Sequence, residues 1–124
     1  MASVAASLAR APVAPRDFSA TGNSTAGITL SYKEPQGGDV DHFVVAARSV
    51  NENFYRQRVV IAHGNMKPAF SAQDLGFNPG DSFFLSMAAG DKQGHESLFS
   101  YPEVRCDSSA CAIPPYAFNI TDFI

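Results

Sequence analysis

Apolar and polar residues alternate with a period of two over most of this chain, and the alternation is broken by glycine, proline, asparagine and aspartate. The clearest run is Gly27-Ile28-Thr29-Leu30-Ser31-Tyr32-Lys33, which places Ile28, Leu30 and Tyr32 on one face of a strand and Thr29, Ser31 and Lys33 on the other. Phe83, Leu85, Met87 and Ala89 alternate likewise between a Pro79-Gly80-Asp81 turn and a polar turn containing Gly94. Val40, Phe43, Val45 and Ala47 form a third run after the loop Glu34–Asp39, and Tyr55–Ala62 a fourth, closed by a turn at His63-Gly64-Asn65. Asp17–Thr21 reads as the first strand, with a turn at Gly22–Thr25. Leu98–Arg105 reads as the last, confined by Pro102 to an edge or a bulge. Lys67–Leu75 carries Phe70, Ala72 and Leu75 as inward candidates. Seven short strands with no helix between them predict an all-β, antiparallel sandwich and not alternating α/β units.

Length changes the picture only by fixing the organisation. A chain of 124 residues accommodates one domain with tails. The expected division is a short helix or linker over 1–14, the sandwich over 15–105 and an irregular apolar tail over 106–124. Residues 1–11, with Val4 and Leu8 one helical turn apart and Arg10 after the apolar stretch, suit a short amphipathic helix better than a signal peptide. That helix would end before Pro12. No stretch is long enough to span a bilayer as a helix, so the expectation is a soluble chain without an export signal of its own. The composition, 45% hydrophobic with ten Phe and four Tyr, is that of a folded chain. A net charge of -3 with no basic cluster argues against a nucleic-acid partner.

Leu75-Gly-Phe-Asn-Pro79-Gly80-Asp81-Ser-Phe83-Phe-Leu85-Ser-Met87-Ala-Ala89, followed by Gly94-His-Glu96-Ser97, resembles the sixth strand of a fibronectin type III domain and the turns around it. Ile28–Tyr32 is similar to the second strand of that family, with Tyr32 where tryptophan is usual, and Val40–Val45 to the third, with Phe43 in place of a usual tyrosine. Glu34-Pro35 and the glycines after it resemble the family's proline-glycine loop. Phe83 stands at the corner-tyrosine position, so that hydroxyl is missing. The resemblance runs from Pro15 to Arg105. It implies an immunoglobulin-like sandwich of the fibronectin type III kind, usually a binding or spacing module whose fold implies no chemistry.

The residues that could carry chemistry do not converge. His42, His63 and His95 fall at three separate turns or strand ends without metal-ligand spacing, and Asp39, Asp41 and His42 are too close along a strand to point at one ion. His95, Glu96 and Ser97 are consecutive and cannot occupy the three positions of a triad. No catalytic, cofactor or metal residue is expected in the chain. Cys106 and Cys111 enclose four residues, Asp-Ser-Ser-Ala; they are either a local disulfide or two thiols, and a zinc ribbon would need a second pair. The bridge is the reading adopted, which implies an oxidising compartment: secreted, periplasmic or at the cell surface. Asn23-Ser-Thr25 and Asn119-Ile-Thr121 are formal glycosylation acceptors.

If Phe43, Val45, Phe83, Leu85 and Met87 point inward, then Val44, Ala46, Phe84, Ala88, Phe99 and Tyr101 share the outer face of one sheet. An exposed apolar sheet face is a docking surface unless the apolar tail 112–124 folds back on it. Val4–Pro12 ahead of such a sandwich resembles the end of the catalytic domain in bacterial secreted zinc aminopeptidases of the di-zinc class. That resemblance implies an accessory domain with catalysis and zinc lying upstream. The family's His, Asp and Glu ligands have no counterparts in this chain. The alternative is a free-standing extracellular module that binds protein or glycan, with Phe54 and Tyr55 as candidate stacking residues.

Overall fold

The computed structural model describes residues 12–34, 40–64 and 67–114. The expected helix over 1–11, most of the tail and the acceptor at Asn119 lie outside those residues. Among the described residues eight strands form: β1 (Arg16–Asn23), β2 (Gly27–Lys33), β3 (His42–Ser49), β4 (Gln57–Ala62), β5 (Ala69–Phe70), β6 (Phe83–Gly90), β7 (Val104–Cys106) and β8 (Cys111–Ala112). They make two antiparallel sheets, one ordered β1-β2-β5 and the other β4-β3-β6-β7-β8.

The alternation read from the sequence sets which side chains meet between the sheets. Ile28, Leu30 and Tyr32 from the smaller sheet face Phe43, Val45, Ala47, Phe83, Leu85, Met87 and Ala89 from the larger one, and all belong to one buried cluster. The Tyr32 and Phe43 rings meet across the gap at 4.9 Å between centroids, tilted by 59°. Leu75, at the end of a 3-10 turn over Gln73–Leu75, is fully buried, and Phe77 stacks on Phe83 at 4.6 Å.

Three expectations are corrected. The strand count is eight and not seven, because the beginning of the tail is not irregular: Cys111–Ala112 pairs with β7 at Arg105 and Cys106. The β7–β8 hairpin is closed by the Cys106–Cys111 disulfide. Asp107 accepts from the backbone N–H groups of Ser109 and Ala110 in its turn. The strand expected over Lys67–Leu75 shrinks to Ala69–Phe70, since a Ser71–Asp74 exchange of side-chain to backbone hydrogen bonds starts the 3-10 turn instead.

The strand expected over Leu98–Arg105 is regular only from Val104. Ser100 N–H donates to Met87 O and Ser97 N–H to Ala89 O, but the return bonds go from Met87 N–H to Ser100 Oγ and from Ala89 N–H to Ser97 Oγ. Serine hydroxyls thus stand in for backbone carbonyls along the edge of β6. Between the Leu85–Val104 pair and the Met87–Ser100 contact, β6 advances two residues and its neighbour four. The surplus is a bulge at Tyr101 and Pro102, which are joined by a cis peptide. It leaves Tyr101 80% exposed.

Candidate binding clefts around Tyr101

The outer face of the larger sheet is where the chain concentrates its unusual features. Val44, Ala46 and Arg48 of β3 lie beside Ala88, Ser86 and Phe84 of β6 in matching register. All face away from the inter-sheet core, as the alternation predicts, yet Val44, Ala46, Phe84 and Ala88 are buried. The expected exposed apolar sheet is therefore corrected at these four positions. Their cover comes from the chain itself. The Tyr55 and Phe99 rings meet at 4.9 Å, and the Arg48 guanidinium lies 4.5 Å from the Phe84 ring centroid. Arg58 of β4 pairs with Glu96 beyond the far edge of β6, so this contact spans the small side chains between them. Phe99 is half-buried and Tyr101 exposed.

A cleft of about 390 Å³ opens on this face, lined by Arg48, Asn53, Tyr55, Ser86, Phe99, Ser100, Tyr101 and Glu103. Its floor is a two-pronged ion pair. Arg48 Nε donates to Glu103 Oε2 at 3.0 Å and Arg48 NH2 to Glu103 Oε1 at 2.6 Å, while Arg48 NH1 donates to the Glu52 carbonyl at 2.7 Å. The Tyr55 hydroxyl donates to Glu103 Oε2 at 3.3 Å. Desolvation, reinforced by the nearby Glu103 charge, pushes the Tyr55 phenol above its ordinary value. It therefore remains a neutral hydroxyl at ordinary pH. A second cleft, of about 520 Å³, lies on the other side of Tyr101, between the entering segment Ala14–Phe18 and Phe99, Ser100, Pro102 and Ile113. Tyr101 lines both.

Neither a family profile nor a curated protein matches the sequence. Solved structures do match in shape. The chicken CNTN1 FN1–FN3 domains superpose with a TM-score of 0.61 at 14% identity over 78% of this chain, which spans 32% of that one. The FN5 domain of Drosophila Lar gives 0.52 at 21% identity, covering 77% of this chain and 97% of its own. The fold is a fibronectin type III-like sandwich. The Clostridium perfringens spore cortex lytic enzyme SleM contains a similar unit, with a TM-score of 0.57 at 19% identity over 78% of this chain and 28% of that protein.

In this fibronectin type III-like sandwich the three histidines have three different partners. Each histidine pairs with a different carboxylate: His42 with Asp41 at 3.0 Å, His63 with Glu34 at 2.6 Å and His95 with Asp91 at 2.8 Å. Among the described residues no three metal-ligating side chains gather. Asn23 Oδ1 accepts from the N–H groups of Thr25 and Ala26, holding the β1–β2 turn. Sequence reasoning missed Arg48, Asn53 and Glu103. Arg48 and Glu103 are 55 positions apart, and only the β3-β6-β7 order brings them together.

One of the histidine pairs gives the fold a pH-sensitive loop. The Asp91 carboxylate, whose side chain is only 4% exposed, accepts from Gln93 N–H, His95 N–H and His95 Nδ1. Desolvation pushes its pKa upward, but the hydrogen bonds from His95 and Gln93 outweigh that and hold it below the ordinary carboxylate value. With the folded-state value depressed, this stabilisation is complete above the unfolded-state value, about pH 4, and is lost as pH falls through the lower folded-state value. The expected result is faster amide exchange, after correction for intrinsic rates, at Gln93 and His95 on acidification below that point. Exchange there that tracks β6 at every pH would show that Asp91 does not hold the loop.

Proposed function

We propose that this chain is a non-catalytic accessory domain of a larger exported enzyme and that it packs against its neighbour through the cleft beside its N-terminal entry. The observation that supports this is the position of the second cleft: residues 14–18, which lead the chain into β1, form one of its walls, with Tyr101, Pro102 and Ile113 opposite. A domain preceding Pro12 would emerge at that rim. Tyr101 offers it an exposed aromatic anchor of the kind enriched at interfaces. The similar unit inside SleM gives a precedent for such a sandwich within an enzyme. The Cys106–Cys111 disulfide supports an oxidising, extracytoplasmic location.

The finer proposal, that the enzyme is a zinc aminopeptidase, rests on the resemblance of Val4–Pro12 alone. Zinc and catalysis would then reside wholly upstream. The reading frame immediately before the Met1 codon tests both levels. An uninterrupted frame encoding an export signal and a catalytic domain is the expected result, with a His/Asp/Glu-rich zinc site if the finer level holds. A stop codon there, followed by an independent start, would favour the free-standing binding module.

The docking surface has its own test. Tyr101→Asp is expected to leave the unfolding free energy of the 124-residue chain within about 0.5 kcal/mol of the parent, because the side chain is exposed. In the joined protein it should speed proteolysis of the Pro12–Pro15 segment. Unchanged cleavage would remove Tyr101 from the interface.

A further inference from the structure

We propose that the outer-face cleft is a binding site for a neutral saccharide, with Tyr101 as its stacking platform and Glu103 and Asn53 as hydrogen-bonding partners. This goes beyond the accessory-domain reading: it uses the side of Tyr101 that lines the cleft with Asn53, whereas the upstream neighbour would pack on the side toward residues 14–18. The argument begins with charge. Among the described residues the cleft holds two ionised groups, Arg48 and Glu103, which are paired with each other through two hydrogen bonds, and the neighbouring Arg56 and Glu52 also pair, at 2.9 Å. Opposite charges cancel at short range, so the cleft gives no net pull on an anion or a cation. A phosphate, a carboxylate or an ammonium ligand is disfavoured.

What remains is an amphipathic surface. Tyr101 presents its ring to solvent, and the tilted Tyr55–Phe99 pair forms an adjoining wall. A pyranose has the matching form: a patch of C–H bonds on its ring face and a rim of hydroxyls. The polar floor suits that rim. A carboxylate has about four acceptor positions; three on Glu103 are taken, two by Arg48 and one by Tyr55, which leaves one on Oε1 for a sugar hydroxyl. The exposed Asn53 amide supplies donor and acceptor at the opposite wall. Preorganisation is built in. Arg48 is held by the Phe84 ring beneath it and by the Glu52 carbonyl, so the carboxylate it clamps does not have to be ordered on binding. The volume lies within the range of small-ligand sites.

The test is a titration of the 124-residue chain, followed by amide NMR shifts, with tetrasaccharides of β-1,4-glucose, β-1,4-N-acetylglucosamine and α-1,4-glucose. An anionic tetragalacturonate and a proline-rich peptide serve as competing chemistries. Saturable shifts centred on Asn53 and Phe99–Glu103 are expected with at least one neutral sugar, at a dissociation constant of about 0.1–10 mM. Tyr101→Ala should weaken that binding about tenfold. Asn53→Ala should weaken it about threefold while leaving cleavage of the Pro12–Pro15 segment unchanged, because Asn53 lines only this cleft. No saturable shift with any neutral sugar, shifts with only the anionic sugar or the peptide, or undiminished binding by Tyr101→Ala would each overturn the proposal.

Discussion

Phe43→Ala is expected to lower the free energy of unfolding by about 4 kcal/mol. Phe43 has no exposed surface, sits in the larger sheet between Ile61 of β4 and Ala89 of β6, and reaches across to the Tyr32 ring of the smaller sheet. Deleting the ring removes its burial energy and leaves a hole between the two layers. The size of the loss depends on how far the walls can relax into that hole. Here the backbone around it is pinned on both sides by antiparallel pairing, so collapse is limited and the cost falls toward the upper end of the usual range. Domains of this size are stable by about 5–15 kcal/mol, which makes the change a large fraction of the total. Equilibrium unfolding in urea checks it: the midpoint should fall with an unchanged denaturant slope. A loss below about 1.5 kcal/mol would mean that Phe43 does not bridge the sheets.

The same residue shows why much of the fold was legible. Phe43 and Val45 fall on the core side because a strand has a period of two, and a one-residue slip would have moved every side chain of β3 to the other face. Pairing of β3 with β6 then follows from two runs of similar length with compatible apolar faces. The bulge at Tyr101 was less legible. Pro102 signalled an irregularity, but nothing local shows that Ser97 and Ser100 lend their hydroxyls to the β6 backbone. The eighth strand was hidden for a similar reason: Cys111–Ala112 is too short to show a period, and its pairing with β7 depends on the turn held by Asp107.

On the outer face, Val44, Ala46, Phe84 and Ala88 point away from the core yet are buried. Alternation tells which side of a sheet Val44, Ala46 and Phe84 occupy, whereas their burial depends on Tyr55, Phe99, Arg48 and Glu96, which arrive from distant parts of the chain. Arg48 illustrates the difficulty. In sequence it is a charged residue near the end of a strand, with nothing local to mark it. In the fold its aliphatic stem and guanidinium cover an aromatic ring, and its charge is matched by a residue from the other side of the bulge. Phe84→Asp would consequently disturb this cover and is not a neutral surface change, whereas the exposed Tyr101 tolerates substitution.

Glu103→Ala is expected to cost about 2–3 kcal/mol, much more than an ordinary surface ion pair contributes. Arg48 and Glu103 side chains are each only 20% exposed, and their double hydrogen bond has the geometry in which guanidinium and carboxylate fit best. Removing Glu103 takes from the half-buried guanidinium over Phe84 the carboxylate that holds it through two hydrogen bonds, and it deprives the Tyr55 hydroxyl of an acceptor. The cost is therefore mainly that of a charge stranded from this carboxylate. Two comparisons isolate it. Glu96→Ala breaks the Arg58–Glu96 pair, whose side chains are 52% and 40% exposed, and should change stability by only about 0.5 kcal/mol. Replacing both members of the half-buried pair, with Arg48→Met and Glu103→Leu together, should recover most of the loss, because the guanidinium is then removed together with its carboxylate. If Glu103→Ala costs no more than Glu96→Ala, the pair is effectively solvated and the cleft floor is not fixed. If the double variant is as unstable as the single one, the loss comes from the removed hydrogen bonds and packing, and the stranded-charge account fails.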